Sequence, residues 1–152
     1  MENLRQRAVT KLNAIFVKLF NNILRIEEKS LTKNEFTDLS LREMHVIEAI
    51  ELSDRHTMSE IAKQLKITLS TLTTAVNHLV SKGYVMRQRS SGDRRVVYVS
   101  LTEKGKAAHT AHMQFHGKMV DRVMDMLSDE ELSALMSALD KINNYFIQKY
   151  VL

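Results

Sequence analysis

The sequence contains no cysteine. Disulfides, thiolate metal ligation, thiol redox sensing and a cysteine nucleophile are therefore excluded. Proline is absent from all 152 positions and no repeat or low-complexity tract occurs, so no Pro-rich linker separates loosely tethered modules. Glycine is scarce. The four present, Gly83, Gly92, Gly105 and Gly117, fit cap, wing or helix positions and form no phosphate-cradling loop. Apolar residues make up 44% of the chain, enough for a core, yet no run reaches the roughly 18 residues of a membrane-span candidate. No signal peptide is visible either, and a cytoplasmic protein is the expectation.

What the chain does have is positive charge in one place. The net charge is +4, but Arg55 to Lys104 alone holds nine Lys/Arg against three Asp/Glu, a local +6 that leaves −2 elsewhere. A concentrated basic segment is what counterion-release binding to DNA requires.

That segment carries a pattern. Thr57 and Glu60 are spaced as a capping box, and Met58, Ile61, Ala62 and Leu65 follow with helical spacing. A turn at Leu65-Lys66-Ile67 leads to Thr68, which can cap a second helix. Leu72, Ala75, Val76, Leu79 and Val80 form its apolar stripe. The other face carries Ser70, Thr71, Thr73, Thr74, Asn77 and His78. Short hydroxyls lower helix propensity, and a buried helix has no use for so many. They suit hydrogen bonding to base edges and phosphates in a major groove. The pattern is a helix-turn-helix with the recognition helix second, departing only in having Lys66 where the turn favours glycine.

Gly83 ends the recognition helix as a left-handed cap. Tyr84 to Arg89 and Val96 to Leu101 then read as paired strands, the first offering Arg87 and Arg89 to a phosphate backbone. The hairpin tip between them is Ser90-Ser91-Gly92-Asp93-Arg94-Arg95. An arginine on such a tip can enter the minor groove. Asp93 is expected to pair with Arg95 and shape the tip while Arg94 points outward; an ordinary solvated turn is the alternative.

The flanks read as helices. Met1 to about Lys29 is one amphipathic helix, followed by a polar connector from Ser30 to Leu39. Ser40 with Glu43 opens a helix running to Leu52, followed by a loop from Ser53 to His56. Thr102 caps a long helix to about Leu127, and Ser128 with Glu131 opens the last, to about Tyr150. The terminal helices hold more apolar residues than one such chain could hide, which predicts an intertwined homodimer. The expected fold is mainly α with a small β-hairpin wing: a winged helix-turn-helix with six helices. Residues 1–39 would be a dimerisation helix and connector, 40–101 the DNA-binding domain, and 102–152 the C-terminal dimerisation helices.

On these residues the chain resembles the MarR family of winged helix-turn-helix regulators over nearly its full length. The resemblance is carried by Thr68 to Lys82, by Gly83-Tyr84, and by Asp93-Arg94-Arg95 followed by Val99, Leu101, Thr102 and Gly105. Within the family it is most similar to FabT-type repressors of fatty-acid synthesis. Phe20 to Glu28, Arg42 to His45, Thr68 to Thr74 and His109 to Met119 carry that likeness. It implies a homodimer on a pseudo-palindromic operator in double-stranded DNA, and long-chain acyl groups on acyl carrier protein as corepressor, with no membrane partner and no required cofactor. It also implies a ligand pocket at the dimer interface. Candidate residues are Phe16, Leu19, Phe20, Ile23, Met44, His45, Ile47, His109, Met113, Phe115 and His116, although for any one of them ordinary core is the more common role. Arg5, Arg7, Lys11 and Lys18 could meet the acidic carrier protein.

His109, His112 and His116 share one helical face and form a weak metal candidate, the alternative being a polar stripe. A regulator answering to zinc or to another small molecule thus stays open, as does a non-specific architectural DNA-binding protein. An enzyme is disfavoured, because no nucleophile, phosphate loop or acid–base constellation is present.

Overall fold

Side chains start the helices. The computed structural model describes residues 2–33, 35–51, 56–90, 92 and 96–150. Helix α1 spans Glu2–Lys33 and α2 Leu41–Ile50. Strand β1 is His56–Thr57, followed by α3 (Met58–Gln64) and α4 (Leu69–Ser81). Strands β2 (Val85–Arg89) and β3 (Val97–Leu101) precede α5 (Glu103–Met124) and α6 (Asp129–Tyr150). Both expected capping boxes are formed in the first half of the chain. Ser40 accepts from the Glu43 amide at 3.3 Å while Glu43 accepts from the Ser40 amide at 2.8 Å, and Thr57 and Glu60 do the same. Thr68 caps α4, Thr102 receives the Gly105 amide at 3.1 Å, and Ser128 and Glu131 bond reciprocally at the start of α6.

The two turns that aim α4 share one geometry. After α3, the Ile67 amide donates to the Ala62 carbonyl and the Lys66 amide to Lys63; after α4, Tyr84 donates to Leu79 and Gly83 to Val80. Both are Schellman motifs, which place one residue in the left-handed region. That residue is Lys66 at φ 53° in the first and Gly83 at φ 79° in the second. The anomalous lysine therefore keeps the standard turn and bears its strain.

The sheet has the order β1-β3-β2, all antiparallel, with Val85 opposite Leu101 and Arg89 opposite Val97. Strand β1 pairs His56 with Val99 and Thr57 with Tyr98. His56, expected at the end of a loop, is thus in a strand. Two residues carry no alternation to detect, and it is the open edge of β3 that makes them a strand. Thr57 both ends this strand and caps α3, so the helix-turn-helix is anchored to the wing at its first residue.

The core joins Met44, Ile47 and Ile50 of α2 to Ile61 of α3, to Leu72, Val76 and Leu79 of α4, and to Tyr84, Val99 and Leu101 around the wing. Ala75 is half-buried and Val80 is exposed, both flanking the stripe rather than filling it. Helix α1 runs one turn beyond the expected end at Lys29, because Leu31 is itself a core residue. Helix α2 stops at Ile50, with Glu51 at φ 57°, short of the expected Leu52, which lies outside the described residues. Gly105 is obligatory for a packing reason: a Cβ there would collide with the Tyr84 carbonyl, so α5 begins directly on the wing's base.

Residues Met1–His112 and Met113–Leu152 form two compact units. In the first, α1 leaves Val9, Leu12, Leu19 and Phe20 at least half exposed. In the second, α6 buries no residue, and Met136, Leu139, Phe146 and Ile147 lie exposed along it. No helix among the described residues is long and apolar enough to cross a membrane.

Candidate nucleic-acid interface

Helix α4 buries Leu72, Val76 and Leu79 and turns Thr68, Ser70, Thr71, Thr74, Asn77 and His78 to solvent, with Thr73 half-buried. All seven recognition-helix residues expected to meet DNA therefore lie on α4 or at its cap, off the core face. Their hydroxyls are already partly engaged. Thr73 donates to the Leu69 carbonyl at 2.7 Å and Thr74 to the Ser70 carbonyl at 3.3 Å, while the Thr68 and Thr71 hydroxyls bond each other at 2.8 Å. His78 lies 3.9 Å from the Glu43 carboxylate.

The wing is tied to this helix. Arg87 donates from Nη1 to Asn77 Oδ1 at 2.6 Å and from Nη2 to the Thr73 carbonyl at 3.3 Å. Sequence reasoning assigned Arg87 and Asn77 to separate tasks on strand and helix; the fold makes them one unit. Arg89, two residues on, is exposed and lines an open cleft of about 580 Å³ with Ser59, Leu69, Thr73, Arg87 and Val97. Ser90 donates to the Val96 carbonyl and closes the ladder below the tip. Ser91, Asp93, Arg94 and Arg95 lie outside the described residues, and the Asp93–Arg95 pairing with them.

A second constellation, not anticipated from the sequence, clamps the far end of α4. Lys82 reaches both Glu43 carboxylate oxygens at 2.8 Å and the Asp38 carbonyl. Tyr84 donates to the Asp38 carboxylate at 2.6 Å, and Lys104 bonds the Lys82 carbonyl at 3.0 Å while lying 4.0 Å over the Tyr84 ring. Burial alone would raise the pKa of Glu43, but the Lys82 ammonium and the Ser40 hydrogen bonds outweigh it and leave it lowered. The Tyr84 hydroxyl and then the neighbouring lysines hold Asp38 low as well. Burial, followed by the bond to Asp38, pushes Tyr84 far up. The recognition helix is thus fixed at its start by a cap, along its length by Arg87 and at its end by this charged clamp.

The residues proposed for a ligand pocket divide. Met44 and Ile47 are sealed in the winged-helix core, at 1% and 0% exposure. Phe16 and Ile23 are half-buried, whereas Leu19 and Phe20 are exposed. His45 is half-buried, 3.9 Å from the buried Glu27 carboxylate. His109 is buried and its Nδ1 has no hydrogen-bond partner. In the C-terminal unit Met113 is exposed, and Phe115 and His116 are half-buried with their rings 5.4 Å apart. The three α5 histidines do not converge as a metal site: positions two turns apart on one helix are about 10 Å apart along its axis. Among the described residues, potential ligand atoms come within 4.8 Å of one another at His45, Glu48 and His112 instead.

Comparison with known proteins agrees with this geometry. The MarR family model matches residues 39–97, which span the helix-turn-helix and most of the wing. The structure is similar to FabT of Streptococcus pneumoniae, solved in complex with DNA: TM-score 0.88 and 38% identity, over 92% of this chain and 98% of that one. The chain belongs to the MarR family. A mutant of E. coli MarR complexed with operator DNA is also similar, at TM-score 0.69 and 26% identity over 89% of this chain and 95% of that one. The HTH-type transcriptional regulator YwhA of Bacillus subtilis is 30% identical over 57% of this chain, which spans 62% of that protein's length. As a MarR-family member the chain is a DNA-binding transcriptional regulator and not an enzyme.

Proposed function

We propose that this MarR-family regulator is a cytoplasmic homodimer that represses fatty-acid-synthesis genes from a pseudo-palindromic operator. Long-chain acyl groups carried on acyl carrier protein act as its corepressor. The observation that carries the reading is the likeness to FabT, which extends along nearly the whole chain rather than the reading head alone. The apolar residues left exposed along α1 and α6 support dimerisation, since such stripes on a regulator need a partner surface. The exposed polar face of α4 supports sequence-specific reading over merely architectural binding.

A gel-shift titration tests it, using a fatty-acid-synthesis operator and a scrambled duplex of equal length. Long-chain acyl carrier protein is expected to tighten operator binding, and operator is expected to be preferred by about 4–10 kcal/mol. Unchanged operator affinity on adding acyl carrier protein would remove the corepressor. Equal affinity for both duplexes would leave an architectural protein.

A further inference from the structure

We propose that His45, Glu48 and His112 form a binding site for one divalent transition-metal ion of the zinc class, joining α2 to α5 within the N-terminal unit. His45 and Glu48 stand three residues apart on α2 and so share a face. His112 comes to them from α5, almost fully buried, with its ring 6.4 Å from that of His45. One potential ligand atom from each of the three lies within 4.8 Å of the others. Bonds of about 2.0–2.1 Å in a tetrahedral shell need ligand atoms about 3.3 Å apart, so modest side-chain adjustment closes the set. The 4.0 Å between His112 Nε2 and the Glu48 carboxylate is too long for a hydrogen bond and admits an ion between them.

The charges suit a cation. Glu48 supplies one negative charge as ligand. Glu27 of α1, buried, holds another 3.9 Å from His45 Nε2, where it can offset a second positive charge. Two imidazoles and one carboxylate with no sulfur select an intermediate ion over calcium or magnesium, which prefer all-oxygen shells. Three protein ligands leave one position for water.

The test uses the full chain stripped with chelator and then titrated calorimetrically with zinc, with cobalt(II) as a visible-absorption probe. One zinc per chain is expected, with a higher Tm when loaded and cobalt bands typical of four nitrogen and oxygen ligands. Glu48→Gln and His45→Gln, both at half-exposed positions, are expected to weaken binding by at least about 100-fold, more than loss of an outer-shell partner would, while keeping the apo circular dichroism spectrum. His112→Gln is expected to do the same; if its burial prevents folding, the other two variants decide. Absence of saturable zinc binding overturns the proposal. So does binding that survives Glu48→Gln and His45→Gln but is lost in His109→Gln or His116→Gln, since the site would then lie along α5 alone.

Discussion

At the scale of single residues, the informative positions are those where one side chain serves two elements. Asn77 faces solvent on the recognition helix and also accepts from Arg87 of the wing. Asn77→Ala and Arg87→Ala are therefore expected to be non-additive. In a double-mutant cycle on operator affinity, the pair should show about 1 kcal/mol of coupling, and additive losses would mean the contact is irrelevant once DNA is bound. Lys66 is a different case. A non-glycine residue in the left-handed region costs about 1–2 kcal/mol, and glycine gives back about 0.5–1 kcal/mol in chain entropy. Lys66→Gly is thus expected to stabilise the protein by up to about 1 kcal/mol, read as a higher urea midpoint. A lower midpoint would show that the lysine compensates through contacts of its own.

Elements were legible from the sequence where their causes are local. Ser40, Thr57, Thr68, Thr102 and Ser128 each start a helix through bonds to residues within four positions, so spacing alone revealed them. Strand β1 was not legible, because its cause is a strand some forty positions away. The clamp on α4 was hidden for the same reason: Glu43 and Lys82 are 39 residues apart. The α2 neighbours of the histidine stripe were hidden likewise, since His112 lies beside His45 and Glu48 of another helix. The clamp has a consequence for acid stability. Folded Glu43 and Asp38 hold protons more weakly than in the unfolded chain, whose ordinary values are 4.5 and 3.8. Their contribution is complete above those values and is lost as pH falls through the lower folded ones. The urea midpoint should therefore fall progressively as the pH is taken below about 5. Glu43→Gln should cost about 2–3 kcal/mol at neutral pH and flatten that drop; an equally steep profile would place the acid sensitivity elsewhere.

At the scale of the whole molecule, the proposed dimer would hold two reading heads at once. Leu12 on α1 and Leu139 on α6 are 52% and 48% exposed in the single chain. Leu12→Asp and Leu139→Asp should leave that chain folded, since neither leucine belongs to its core. If these helices make the dimer, sedimentation should report monomers, and operator affinity should fall by at least about 100-fold as the second head's contribution is lost. A dimer persisting in both variants would move the interface off these stripes.

The hydroxyls of α4 give that molecule a bias in what it can read. Thr73 and Thr74 have committed their protons to carbonyls one turn back, so at these positions the helix offers oxygen lone pairs and a methyl group. In a major groove, lone pairs find partners only on exocyclic amino groups, those of cytosine and adenine. Guanine and thymine present acceptors at the corresponding edge, and two acceptors repel. If these threonines meet bases, the helix's own backbone has set in advance that their hydroxyls accept rather than donate, leaving their methyl groups to contact thymine.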